Sequence, residues 1–242
     1  MKKLINLSAL LLLALFFIQC DEDYDTALEQ EPESITVTDA DGNVYRTIII
    51  GNQTWMLENL KTTKFNDGTS IPEYDFTSDE NWNKDVNTFP FFQWASTSDL
   101  TNSVDENLPT DYYGAMYNHA AIESGKLAPE GWRVPTQQDF EILKNFIANQ
   151  GYANREGVAL KSATGWSEFS GNGLDVFGFN ALPGGYVDVF GTPKADSVIG
   201  TWATSDFDPV QRRRMILSLH QEEMEILDQS ILLGSSIRCI KN

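Results

Sequence analysis

Apolar and polar positions alternate with a period of two near both ends of the chain, and a 3.6-residue period marks one segment between them. Residues 35–38 and 44–50 are β-branched runs joined by Asp39-Ala40-Asp41-Gly42-Asn43, which predicts a hairpin. The join has the first half of a calcium-loop pattern without its remaining ligands, so a turn is expected there. Gly51-Asn52 predicts the next turn, and residues 53–60 a third strand with Trp55 directed into the core. Farther on, Thr136 is suited to cap a helix and Asp139 to close a capping box, with Phe140, Leu143, Phe146 and Ile147 on one face and Gly151 as the stop. Trp132 is placed to cover that face. A helix rich in small residues is predicted over 113–122, and Gly184-Gly185 is expected to mark a bulge where two backbones pass closely. Strands are predicted at 200–205, 213–219, 223–227 and 235–240, the second and third paired through His220-Gln221-Glu222.

Residues 61–111 break the pattern: Asn, Asp, Ser, Thr and Pro are interleaved with eight aromatic rings and no period. The rings either fasten a long loop to the domain or form a surface for a ligand. Trp82 and Trp94 in this stretch, with Trp202, are the candidate ligand-contacting side chains.

Candidate chemistry is sparse. His119 and His220 have no second ligand at metal spacing, and no pair of carboxylates stands out, so no catalytic residue is assigned. The glycine-rich run 171–180 lacks the lysine of a phosphate loop. Asn172, Asp175 and Asp188 supply hard oxygen atoms that could hold calcium, and no other cofactor is expected. Cys239 lies in an apolar strand pattern and is expected to be a buried hydrophobe. Arg212-Arg213-Arg214, the only basic cluster, is expected to pair internally.

The first twenty residues, a short basic start and an apolar run ending at Cys20, form an export signal. Phe17-Ile18-Gln19-Cys20 resembles a lipobox, which makes Cys20 the expected lipidation site, with plain signal cleavage as the alternative. Residues 21–34 are acidic and polar and predict a flexible tether, and 35–242 predict one ordered domain. Acidic residues directly after the cysteine resemble the surface-export signal of Bacteroidetes lipoproteins. That implies a lipid-anchored protein of the outer membrane, facing outward or, alternatively, into the periplasm. With 17 basic and 35 acidic residues the formal charge is −18, and −20 once Lys2 and Lys3 are removed with the signal. A chain this acidic is excluded from nucleic acid, whose binding requires cations against phosphates.

The order of elements predicts an α+β fold with short antiparallel strands, two flanking helices and long loops. Six motifs carry a resemblance: Asp41-Gly42-Asn43-Val44-Tyr45, residues 50–60 around Trp55, Tyr113 to Asn118, Gly131 to Thr136, Phe177 to Tyr186, and Ile237 to Lys241. In this order they resemble the Fibrobacter succinogenes major paralogous domain, which is similar to the C-type lectin-like fold. The resemblance implies terminal strands that pair to close a loop. The segments Arg133 to Glu141 and Ile237 to Cys239 are more remotely similar to formylglycine-generating enzymes, but those work through two cysteines and the globular part here has one. The expected function is therefore non-catalytic recognition of a glycan or a protein. An enzyme acting on an extracellular polymer and a structural envelope protein are the alternatives.

Overall fold

The computed structural model describes residues 35–75, 88–95, 108–194, 197–208 and 213–242, with side chains from 218 onward in the last segment. The first hairpin forms as the alternation predicts. Strands β1 (Thr36–Thr38) and β2 (Val44–Ile50) pair antiparallel, with Thr38 opposite Val44. Asp39 Oδ1 closes the turn by accepting from the amides of Asp41 and Asn43, each at 2.9 Å, while Oδ2 accepts from the Tyr45 hydroxyl at 2.6 Å. The carboxylate is thus committed to the chain itself.

Strand β3 (Gln53–Met56) pairs with β2, placing Ile48 opposite Trp55. The turn between them sits against a helix: a Cβ at Gly51, whose φ is +62°, would lie 2.9 Å from the Phe146 ring. Any larger residue there would push the helix away.

That helix is α2 (Gln137–Ile147), preceded by α1 (His119–Glu123). Thr136 Oγ1 accepts from the Asp139 amide, and Asp139 Oδ2 accepts from the Thr136 amide at 2.6 Å, completing the capping box. Arg133 adds a two-pronged contact to the same carboxylate at 2.5 and 2.8 Å. Burial works against the charged Asp139 carboxylate, but Arg133 and the Thr136 hydrogen bonds outweigh it and hold the carboxyl below its ordinary range. The helix runs into a π-helical turn (Ala148–Tyr152) in which Gly151 takes φ +95° and ends it. A short helix, α3 (Glu156–Leu160), follows.

Two sequence expectations are corrected. Residues 113–122 are not one helix: Ala115–Tyr117 is strand β5, and Asn118 Oδ1 caps α1 by accepting from the Ala121 amide at 3.0 Å. All three residues of β5 are buried, so this strand has no alternation to betray it. Trp132 does not cover the α2 face either. It lies on β6 (Trp132–Arg133) and packs in a different part of the core.

The main sheets are a five-stranded one ordered β1-β2-β3-β13-β6 and a six-stranded one ordered β11-β10-β9-β12-β5-β4. Their remaining strands are β4 (Phe92–Trp94), β9 (Gly200–Asp208), β10 (Arg213–Leu219), β11 (Met224–Ser230), β12 (Ser235–Ser236) and β13 (Ile240–Lys241). β10 and β11 form the hairpin expected around His220, with Leu219 opposite Met224. The small pair β7 (Tyr186–Val187) and β8 (Pro193–Lys194) stands apart as a third sheet. The final strand pairs with β3, Ile240 opposite Trp55, which brings the carboxyl-terminal strand into the sheet of the first hairpin, beside its third strand and not its first.

At its centre, along β3 and Ile240 of β13, the five-stranded sheet is buried on both faces. Neighbours on one strand go to opposite clusters: Met56 and Cys239 join Tyr45, Tyr117, Trp132 and Ile237, whereas Trp55 and Ile240 join Phe140, Leu143, Trp166, Phe179 and Trp202. Trp55 stacks on Phe140 with ring centroids 5.4 Å apart, which fixes α2 on the sheet. In the aperiodic stretch, Phe65, Tyr74, Phe91 and Phe92 are buried, so its described rings act mainly as loop fasteners. The described residues form an α+β arrangement dominated by strands, and none of their helices is long and apolar enough to cross a membrane.

Candidate functional site

The sheet β9-β10-β11 has two unlike faces because successive side chains point opposite ways. Trp202, Leu219 and Met224 turn to the core that holds α2, with Ile226 packed against it. Thr201, Ser218, Leu227 and Gln229 turn to the other side and form the floor of an open groove of about 420 Å³. Its wall is the β7–β8 hairpin, which contributes Tyr186, Val189 and Phe190, and Ile199 and Leu233 close its ends.

The hairpin is built to hold its tip still. Asp188 Oδ1 accepts from the amides of Phe190 and Thr192 at 2.9 and 3.0 Å, and Gly191 takes φ +80° to complete the turn. Val187 exchanges two backbone hydrogen bonds of 3.0 Å with Gly234, the Gly185 amide donates to Ile199, and Gln93 Nε2 donates to the Gly191 carbonyl at 2.9 Å. Gly185 and Gly200 form a bridge, and Gly184 lets the backbone pass beside Tyr113, where a Cβ would lie 3.2 Å away. The close passage expected at Gly184-Gly185 is therefore present. Phe190, 75 % exposed, projects from this tip, and Leu227 on the floor is 44 % exposed.

The sequence-predicted site residues are dispersed. Cys20 and Trp82 lie outside the described residues. Trp94 is half-buried against Phe92, their centroids 5.2 Å apart. Trp202 is 1 % exposed and belongs to the core: its Nε1–H donates to Asn59 Oδ1 at 2.7 Å. The same oxygen accepts from Arg238 Nε at 3.1 Å and Nη2 at 2.8 Å. Arg238 Nη1 donates to the Phe179 carbonyl, and the guanidinium lies 4.4 Å from the Phe179 ring. Burial pushes the Arg238 guanidinium down to about 9, which leaves it cationic at neutral pH.

Asn172, Asp175 and Asp188 each serve a local turn. Asn172 Oδ1 accepts from the Trp166 amide at 3.1 Å and Asp175 Oδ1 from the Asn180 amide at 2.6 Å. Burial raises the Asp175 carboxyl, against the pull of the Asn180 amide and the Arg238 charge. Of the three, only Asp188 lines the groove. Among the described residues, no three or more His, Cys, Asp or Glu side chains converge as a metal site. Burial also pushes the Cys239 thiol far above its ordinary value, which makes it inert.

A second depression, of about 420 Å³, lies between Glu168–Gly171 and Gln221–Glu222, above Lys161. Lys161 Nζ is already spent on the Ser170 carbonyl at 2.6 Å and the Gln221 carbonyl at 3.3 Å, and burial pushes it down to about 8. It works as an internal tie between loops.

Tyr186, Phe190 and Leu227 escaped the sequence reading. One signal could have found Phe190: a large apolar residue between Asp188 and Gly191, at a turn tip where polar residues are usual.

Neither the curated proteins nor the solved structures give a match to this chain. The sequence profile of the Fibrobacter succinogenes major domain matches residues 48–241, from Ile48 on β2 to Lys241 on β13. That span takes in the Asn59–Arg238 junction, the β7–β8 hairpin and the closing strand beside β3, and by it the chain belongs to the Fibrobacter succinogenes major domain family.

Proposed function

We propose that this protein is a non-catalytic recognition module with a C-type lectin-like order of elements, tethered by a lipid on Cys20 to the outer membrane and facing outward, and that it takes a glycan or protein ligand in the groove beneath Phe190. The observation that carries the reading is an exposed aromatic ring on a hairpin fixed from several sides, set over a groove that Val189, Ile199, Leu227 and Leu233 make largely apolar. A backbone held still before binding gives up little entropy when a ligand meets the ring it carries. The run ending at Cys20 and the acidic tether support the address, and the six ordered motifs support the lectin-like architecture. Calcium at Asn172, Asp175 and Asp188 is no part of this reading, because those oxygens close turns.

The test is binding of the full mature chain to arrayed glycans and extracellular proteins, followed by Phe190→Ala. Burying this ring against a ligand contributes about 2 kcal/mol, so its loss is expected to weaken binding roughly 30-fold while leaving the melting temperature unchanged. Binding that survives Phe190→Ala intact sinks the groove. Mass spectrometry showing an unacylated Cys20 sinks the anchor.

A further inference from the structure

Four strands end the two large sheets, and three are short: β1 and β4 have three residues each and β6 has two. The fourth, β11, has seven, and among the described residues no strand pairs with its outer edge. Long open edges invite pairing with another chain, and proteins usually blunt them with lysine, proline or a bulge. Met224–Ser230 contains no lysine and no proline, and its pairing with β10 runs in register throughout. One group on the edge is covered: Lys144 Nζ donates to the Met224 carbonyl at 2.7 Å. Backbone groups facing that way recur every second residue, which places Ile226 next along the same edge.

This edge borders the groove. Leu227 and Gln229 belong to β11 and form part of its floor, so a strand laid beside β11 would turn alternate side chains toward the space under Phe190. The groove suits an apolar side chain better than a sugar. Two of the polar atoms that sugar hydroxyls would need are already used: Thr201 Oγ1 donates to the Gly185 carbonyl at 2.9 Å, and Asp188 Oδ1 holds two amides of its own turn. Charge selects the partner further. Glu222, Glu223 and Glu225 fall on the strand and its turn, and the whole chain carries −18. Arg155, 3.6 Å from Glu222, offsets this only in part, in an exposed pair that water screens.

We propose that the outer edge of β11 and the groove beside it dock an extended, lysine- or arginine-rich polypeptide segment, which adds a strand to the six-stranded sheet and seats one apolar side chain beneath Phe190. The proposal deepens the recognition reading above and rests on the same groove.

The probes are a seven-residue peptide alternating Lys with Phe or Val, the same peptide with every second amide N-methylated, its Glu counterpart, and a panel of neutral oligosaccharides, each titrated into the full mature chain. The first peptide is expected to bind and to protect the amides of Ile226 and its neighbours on β11 from hydrogen exchange. N-methylation, exchange of Lys for Glu, and Leu227→Lys should each weaken it at least about tenfold. Equal binding of the methylated peptide, or protection elsewhere, overturns strand addition. Oligosaccharide binding lost in Phe190→Ala, with no peptide bound, overturns this proposal while the groove survives as a recognition site. Silence of every probe overturns both, and concentration-dependent protection of β11 without peptide makes a second copy of the chain the occupant instead.

Discussion

Replacing Asn59 by Ala is expected to be among the most damaging single changes in the domain. Its Oδ1 receives three donors, Trp202 Nε1 at 2.7 Å and two from Arg238 at 2.8 and 3.1 Å, and its Nδ2 donates to the Tyr113 carbonyl at 2.9 Å. Arg238 is 1 % exposed, so water cannot replace the lost acceptor. It would keep the Phe179 carbonyl and two aromatic faces, at 4.4 and 5.6 Å from its guanidinium carbon. Orphaning a buried charge typically costs about 3–5 kcal/mol, against a total domain stability of about 5–15 kcal/mol. The cation itself is less valuable than its partner: Arg238→Met removes charge and donors together and fills the space, a change that is often close to neutral. The expected order of stability is therefore wild type, then Arg238→Met, then Asn59→Ala, with the double variant more stable than Asn59→Ala alone because no orphaned cation remains. Urea unfolding followed by tryptophan fluorescence reads all four, with constant slopes confirming that midpoints report stability. A cost for Asn59→Ala below about 1 kcal/mol, or a double variant that is the least stable of the set, refutes the reasoning.

Asp139→Asn is expected to lower stability by about 1–2 kcal/mol at neutral pH, through loss of the capping carboxylate and of an Arg133 contact whose guanidinium side is half exposed. The folded carboxyl lies below its ordinary range, so its contribution is complete above the unfolded value near pH 4 and is lost as pH falls through the folded value; wild type and Asp139→Asn should converge in acid, and curves that stay parallel down to about pH 2 would contradict it. In a Cys20→Ser chain, the fully buried Cys239 should resist iodoacetamide until the protein is unfolded; labelling of the folded chain at the rate of a free thiol would place it elsewhere than the core.

Local rules carried much of the architecture. The β1–β2 hairpin followed from β-branched alternation around Asp39 and Gly42, and the α2 cap from the Thr136–Asp139 spacing, because in each case the interacting groups lie within a few residues. What failed was set by distance. β5 shows no alternation because distant residues cover both its faces: Ala115 and Tyr117 pack with Tyr45 and Ile237, and Met116 with Tyr74 and Val187. The position of Trp132, which its place just before the α2 cap does not reveal, is fixed by Lys241 across β6 and β13. The ring direction of Trp202 depends on Asn59, 143 residues away, and nothing local distinguishes a tryptophan held inward from one offered to a ligand. The groove depends on long-range contacts such as Val187 with Gly234 and Gly185 with Gly200, which bring a small hairpin over a distant sheet.

The last eight residues explain how so small a segment organises the whole. β12 enters the six-stranded sheet beside β9 and β5, and four residues later β13 enters the five-stranded sheet between β3 and β6. In the crossing, the Ile237 and Cys239 carbonyls accept from the Leu60 and Met56 amides at 2.8 and 3.0 Å, and both side chains fill one core cluster. Arg238, between them, points the opposite way and reaches two acceptors that no single short side chain could span, Asn59 Oδ1 and the Phe179 carbonyl. From Phe179 the chain runs through Ala181, bonded to Leu160, to Gly185, bonded to Ile199, and so into β7. The junction thereby sets where the hairpin begins, while Phe190 at its tip contributes almost nothing to the core. Scaffold and groove should separate under mutation: changes at Asn59 or Gly114, where a Cβ would lie 2.8 Å from that of Asn59, should destabilise the domain strongly, and changes at Phe190 or Leu227 should leave its stability unchanged. A marked loss of stability in Phe190→Ala would show that the ring belongs to the fold after all, and the argument that it is held out for a ligand would lose its footing.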